Sequence, residues 1–229
     1  MSGFTIEVPD AVALPVSGSD AKFPVHRVYC IGRNYAAHAV EMGHDPDREA
    51  PFFFQKNPDN LDPSGQFPYP SQSSDVHHEA EMAVMLKSGG NNISVAKALD
   101  HVYGYALSLD MTRRDLQAEQ KKMGRPWEIG KAFERSAPVG PIHTVESVGY
   151  LNSGRIELKV NNEVRQEGNL NQMIWKVPEM ISYLSDYFTM AAGDVILSGT
   201  PAGVGPVSKG DVMDMSIEGL GSMLSLIHI

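Results

Sequence analysis

A chain of 229 residues is long enough to bury one sizeable core, and nothing in its length asks for two equal domains. Its 28 acidic residues outnumber 19 Lys and Arg, for a formal charge of −9, and no Lys/Arg-rich block interrupts that balance, which argues against nucleic acid or an anionic membrane surface as partner. The single cysteine, Cys30, excludes an internal disulfide and fits a reducing cytoplasm, and no apolar run reaches the ~20 residues of a membrane span.

In chain order, residues 1–24 carry Pro9, Pro15, Gly18 and Pro24 and read as an extended N-terminal segment laid against a single domain over 25–229 that carries the chemistry. Val28 to Ile31 reads as a buried strand, broken by Gly32-Arg33-Asn34. Tyr35 to Met42 has helical composition, with Gly43 as its C-cap. On that helix His38 and Glu41 are three residues apart and share a face, so the carboxylate can hold the imidazole in one tautomer for general-base work. An exposed polar pair on a surface helix is the plainer account of this spacing. The polar, Pro-rich stretch from Gly43 to Pro51 favours the functional one, as a mobile lid over a substrate.

Phe52 to Lys56 is a short predicted strand, and Asn57 to Ser74 a loop with several prolines. The run His78-Glu79-Ala80-Glu81 then opens an apolar strand. With a two-residue period over 79–86, Glu79 and Glu81 fall on one face and Ala80, Met82, Val84 and Leu86 on the other. Neighbouring carboxylates on a buried strand repel, and burying them unpaired is expensive. A hard divalent cation resolves the conflict, with Asp110, at the end of the apolar strand Val102 to Asp110, as third oxygen ligand. The apolar neighbours of all three argue against solvated surface acids. An all-oxygen set with no cysteine nearby selects Mg²⁺, Mn²⁺ or Ca²⁺ over Zn²⁺. His77 and His78 are adjacent ligand candidates, and only His77 has the matching parity. Position 82 is Met, so the second histidine of a His-Glu-x-x-His zinc site is missing.

Ser94 to Asp100 reads as a short helix. Thr112 with Asp115 three residues on reads as an N-cap pair for a helix from Arg113 to Met123 that Gly124 and Pro126 stop. Arg114 and Gln117 share a face of that helix, a cation and an amide donor beside Asp110 that suit a carboxylate and a developing oxyanion; a surface salt bridge is the plainer use of Arg114. Lys131 alternates with Trp127, Ile129 and Phe133 on a predicted strand, and a lysine on an apolar face needs an anionic partner. Further on come the strands Ile156 to Val160 and Glu163 to Glu167 about the turn Asn161-Asn162, a helix over Pro178 to Tyr187, and strands at Asp194 to Ser198 and Val212 to Ile217. The glycine-rich turn from Gly199 to Gly205 suits close backbone approach to a ligand, but it lacks the Lys and Ser/Thr of a P-loop. Short strands dominate, so the expected class is α+β, a β-rich mixed sheet or roll with a few peripheral helices.

In order and spacing, Gly32-Arg33-Asn34-Tyr35 with His38 and Glu41, His78-Glu79-Ala80-Glu81, Asp110-Met111-Thr112 with Arg114 and Gln117, Lys131, and Gly199-Thr200-Pro201 resemble the fumarylacetoacetate hydrolase family, from about Val25 to Gly221. The resemblance implies the roll of that family's C-terminal domain, commonly a homodimer, and a cytoplasmic enzyme acting on a small oxo acid. It implies Mg²⁺ or Mn²⁺ on Glu79, Glu81 and Asp110, substrate contacts from Arg33, Arg114 and Thr200, and catalytic roles for His38, Glu41, Lys131 and Gln117. Phe23-Pro24-Val25 and the stretch from Asp45 to Phe54 are most similar to the bacterial fumarylpyruvate hydrolases of gentisate breakdown. The implied reaction is hydrolysis of a carbon–carbon bond in a 1,3-diketo acid, fumarylpyruvate to fumarate and pyruvate. In it His38, oriented by Glu41, activates water while Lys131 and Gln117 stabilise the oxyanion. The same metal set would serve an oxaloacetate decarboxylase or a hydroxydienoate isomerase, which need no attacking water, or a non-catalytic dicarboxylate binder. One departure from the family pattern is Asn57-Pro58-Asp59-Asn60 after Lys56, a loop expected to touch the distal end of the substrate.

Overall fold

The strand Ala80–Leu86 is buried at every position, so it needs cover on both faces. Ala80, Met82, Val84 and Leu86 join one apolar cluster with Tyr105, Leu107 and Ile196, while Ala83 and Met85 join a second with Leu14, Cys30 and Val195. The computed structural model describes residues 3–45 and 50–228. In it this strand lies inside a six-stranded mixed sheet, in spatial order His143–Thr144, Val102–Leu109, Ala80–Leu86, Val195–Leu197, Val28–Gly32 and Phe52–Lys56. Only Val195–Leu197 beside Val28–Gly32 runs parallel; the other neighbours are antiparallel.

A five-stranded sheet covers the first cluster, in the order Glu163–Asn169, Arg155–Val160, Val212–Ile217, Gly221–His228 and Gln66–Pro68. Its inward residues Ile156, Leu158, Met213, Met215 and Ile227 alternate with outward ones, as the strand period requires. Asn161 and Asn162, at φ 51° and 68°, turn the first hairpin in the left-handed region that matches strand twist. The helix Val177–Tyr187 buries Val177, Met180, Ile181 and Leu184, an i, i+3, i+4, i+7 stripe, against the same cluster. The N-terminal stretch packs on the domain through the Ala13–Pro15 and Lys22–Pro24 ribbon, which buries Leu14 and Phe23 in the second cluster. Cys30 is buried there, and burial raises its thiol pKa well above the ordinary value, which keeps it unreactive. Among the described residues no helix is long and apolar enough to cross a membrane.

Three local expectations fail. The stretch from Asn57 to Ser74 is not all loop: Leu61–Asp62 pairs in parallel with Ala137–Pro138, and Gln66–Pro68 with the end of Gly221–His228. Those partners are more than 70 residues away, beyond any local pattern. Trp127 to Phe133 is not a strand; Glu128–Lys131 is a single helical turn. The tight approach that a Cβ at Gly130 would make to Gln117, 2.9 Å from its backbone N, shows why that turn can press against the Arg114–Lys122 helix. Thr112 does not cap that helix, because it lies in a two-residue strand paired to His77 and its hydroxyl donates to Asp110 O at 3.1 Å. Asp115 instead accepts from Ser73 Oγ at 2.6 Å and Ser74 N–H at 3.1 Å.

Candidate active site and metal centre

The antiparallel register between Ala80–Leu86 and Val102–Leu109 pairs Ala80 with Leu109. Asp110 N–H then donates to Glu79 O at 2.8 Å, which sets the two carboxylates side by side. Glu81 comes back to the same face two residues on. Oxygens of Glu79, Glu81 and Asp110 lie within 4.8 Å of one another, all three side chains buried. The Gly199 N–H donates to Glu81 Oε2 at 2.8 Å. Glycine is needed there: φ is +90°, and a Cβ would lie 2.7 Å from Asn34 Cβ.

Cations crowd two of these acids. Lys131 Nζ donates to Glu79 Oε2 at 2.8 Å and Asp110 Oδ2 at 2.7 Å, and Arg114 Nη2 donates to Glu79 Oε1 at 2.5 Å. Burial by itself would raise the Glu79 pKa, but Lys131 and Arg114 outweigh it and hold the carboxyl well below the usual range. Burial likewise opposes the Lys131 charge, yet Asp110 and Glu79 raise its pKa overall. Glu81 is the contrast: burial first, then the Asp110 and Glu79 charges, push its carboxyl well above the ordinary range.

This arrangement fits a divalent cation. Asp110 Oδ1 is buried and accepts no hydrogen bond, although Lys56 Nζ stands 2.9 Å away. Lys56 directs its protons to the Lys131 carbonyl, to Ser136 Oγ at 2.9 Å and to Met111 O at 3.4 Å. Three carboxyls share this small space, and burial together with the Asp110 and Glu79 charges opposes ionisation of Glu81, a conflict that a hard cation with oxygen ligands would relieve. Neither neighbouring histidine joins the three acids. His77 faces Asp75 at 2.9 Å and Arg114 at 3.4 Å, and His78 Nδ1 faces Gln166 Oε1 at 3.0 Å. Burial pushes the His78 pKa down to about 4, so it is neutral.

The acids floor a cavity whose wall holds every residue expected at the site except Glu41: Arg33, His38, Arg114, Gln117, Lys131 and Thr200. The helix Ala36–Glu41 presents His38, whose Nδ1 lies 3.2 Å from Glu41 Oε2. A carboxylate only accepts, so Nδ1 donates, and in the neutral ring that tautomer leaves the Nε2 lone pair for a proton. Glu41 is itself fixed by the Gly203 N–H, 3.1 Å from each of its oxygens. A Cβ at Gly203 would lie 2.0 Å from Arg165 O, so only glycine lets that amide approach. Arg33, at φ 61°, sets its guanidinium 5.1 Å from the Phe52 ring centroid. Gln117 is held by Arg114 Nη1, which donates to its Oε1 at 2.7 Å. Residues 57–60 do not line the cavity. Of the expected lid, residues 46–49 lie outside the described residues.

Four contributors are invisible in the sequence. Lys56 marks only the end of a predicted strand. Lys121 and His44, also on the cavity wall, hydrogen-bond to each other at 3.1 Å. Gln166, fully buried, accepts from Ala80 N–H at 3.0 Å and donates to Thr200 Oγ1 at 2.7 Å and Pro201 O at 2.8 Å. One amide thus ties the start of the metal strand to the Thr200 turn. For Gln166→Leu we expect metal affinity to fall roughly tenfold or more, the usual cost of losing an orienting group behind the ligands. Calorimetric Mn²⁺ titration of the folded variant checks this, and unchanged affinity would remove Gln166 from that role.

The sequence profile of the fumarylacetoacetate (FAA) hydrolase C-terminal domain matches residues 27–227. The chain belongs to the fumarylacetoacetate hydrolase family. A crystal structure of fumarylpyruvate hydrolase from Pseudomonas aeruginosa in complex with Mn²⁺ and pyruvate matches it with a TM-score of 0.97 at 47% identity, covering 99% of this chain and 100% of that one. A mitochondrial oxaloacetate tautomerase of Mus musculus is 43% identical over 197 residues, 86% of this chain and 89% of the relative. A mitochondrial oxaloacetate decarboxylase of Dictyostelium discoideum is 40% identical over 196 residues, 85% and 89% of the two chains. This member of the fumarylacetoacetate hydrolase family is therefore an enzyme of the β-rich, mixed-sheet roll type, and its acidic triad fits a divalent metal.

Proposed function

We propose that this family member hydrolyses a carbon–carbon bond in a 1,3-diketo acid, with fumarylpyruvate as substrate and fumarate and pyruvate as products. The observation that carries the reading is His38, on the wall of the same cavity that Glu79, Glu81 and Asp110 floor, backed from outside that wall by Glu41, which the Gly203 N–H holds. Its likeness to the Pseudomonas aeruginosa enzyme supports the choice of substrate.

A divalent cation, Mg²⁺ or Mn²⁺, held by Glu79, Glu81 and Asp110, would supply Lewis acidity toward the 2-oxo acid end of the substrate. His38 Nε2 takes a proton from water, and the hydroxide adds to the carbonyl remote from that end. Gln117 and Lys131 face the cavity where the new oxyanion forms, and Arg33, Arg114 and Thr200 hold the substrate's polar groups. Collapse of the adduct breaks the bond to the methylene carbon. The electron pair leaves with the pyruvyl fragment, and a proton delivered to that carbon completes pyruvate. Cytoplasmic location and a homodimer complete the proposal.

The oxaloacetate tautomerases and the decarboxylase among the relatives favour a second reading, in which the same acids hold oxaloacetate and no water attacks. Ultraviolet absorbance separates the two. Metal-dependent loss of the fumarylpyruvate signal, abolished by chelation and yielding pyruvate and fumarate, is the expected result. Turnover of oxaloacetate with fumarylpyruvate untouched would replace the hydrolase reading by the second.

A further inference from the structure

The helix Arg114–Lys122 runs from half-buried Arg114, bonded to Glu79, out to exposed Lys121. Arg114, Gln117 and Lys121 follow one another at i, i+3 and i+7, so they share a face, and all three line the cavity. Arg114 and Gln117 are engaged at the inner end, through Glu79 and each other. Lys121 differs in its partner: its Nζ meets His44 Nε2 at 3.1 Å, an imidazole nitrogen that accepts and carries no negative charge. Its positive charge is therefore not neutralised by that contact, whereas Lys131 and Arg114, deeper in the same cavity, are ion-paired to Glu79 and Asp110.

We propose that Lys121, steadied by His44, is the subsite for the distal carboxylate of an elongated dicarboxylic 1,3-diketo acid, and that it sets substrate length. This rests on the hydrolase reading above. The separation suits the role. Seven residues of helix put Lys121 about 10 Å beyond Arg114 along the axis. An extended carbon chain advances about 1.2 Å per bond, so the distal carboxyl of fumarylpyruvate reaches roughly 6 Å past its 2-oxo carbon, and that of oxaloacetate roughly 2.4 Å. The lysine side chain spans the gap left by the longer acid, whereas the shorter one ends well inside, near Gln117. A charge-assisted hydrogen bond at the outer end thus rewards only the longer acid.

The test compares fumarylpyruvate with acetylpyruvate, which carries the same 1,3-diketo acid head and no distal carboxylate, on purified metal-loaded wild type, Lys121→Met and Lys121→Arg. The ratio of kcat/KM for fumarylpyruvate over acetylpyruvate should fall about tenfold or more in Lys121→Met, through KM for fumarylpyruvate, and Lys121→Arg should recover most of it. Equal losses on both substrates, or a ratio that does not move, would overturn the subsite while leaving the hydrolase reading in place. Wild-type protein that leaves fumarylpyruvate intact would overturn both.

Discussion

Glu81→Ala is expected to purify folded, to retain no divalent metal and to show no detectable turnover. The reason lies in how the three acids are balanced. Glu79 and Asp110 share Lys131, with Arg114 added at Glu79 and Lys56 at Asp110, so removing either takes a carboxylate from two cations at once, and breaking a buried pair costs about 3–5 kcal/mol. Glu81 instead accepts from the Gly199 N–H and is opposed by burial and by its acidic neighbours. Truncation orphans one buried amide, a cost of about 1–3 kcal/mol, and removes part of that repulsion. The fold should therefore survive while one of three oxygen ligands is lost. The measurement pairs metal analysis with thermal unfolding. Wild type at 100 times its Mn²⁺ dissociation constant should gain about 2.7 kcal/mol, or roughly 5–10 °C in Tm for a chain of this size. Glu81→Ala should gain nothing. A variant that keeps its metal and its Mn²⁺-dependent Tm rise would remove Glu81 from the metal site.

The second large effect is on chemistry alone. His38→Ala should lower kcat for fumarylpyruvate by about a hundredfold or more, the ordinary contribution of a general base, with metal content as in wild type. His38 touches Glu41, and Glu41 is anchored to Gly203 independently of the imidazole, so losing the ring leaves that carboxylate in place. Glu41→Gln should fall between, since it keeps an oxygen for the Gly203 amide but no longer imposes the Nδ1–H tautomer so strongly. Undiminished turnover in His38→Ala would exclude a water activated at that position and shift weight to the oxaloacetate reading.

The short-range parts of the site were legible from residue order. A two-residue period puts Glu79, directly before the strand Ala80–Leu86, on the face of Glu81, and a three-residue step within one helix joins His38 to Glu41 or Arg114 to Gln117. Lys131 shows the limit. Its need for an anionic partner, met by Glu79, followed from its apolar neighbours, but alternation over so short a run does not tell a strand from one helical turn, which here packs through Gly130 against the Arg114–Lys122 helix. The same held for Thr112, whose pairing to His77 displaced the cap its local sequence announced.

The sequence by itself determined the chemical inventory: three carboxylates with apolar neighbours, one imidazole with its carboxylate, and glycines where amides must approach closely. Only the tertiary structure decided the charge balance and the reach of the cavity. Lys56 meets Asp110 across 54 positions and Gln166 meets Ala80 across 86, through strand registers that no local period encodes. Lys121 faces the cavity only because the turn Glu128–Lys131 and the paired Thr112–Arg113 strand fix where its helix starts and leans. Local periodicity fixes which residues share a face, and the pairing of distant strands fixes what that face meets.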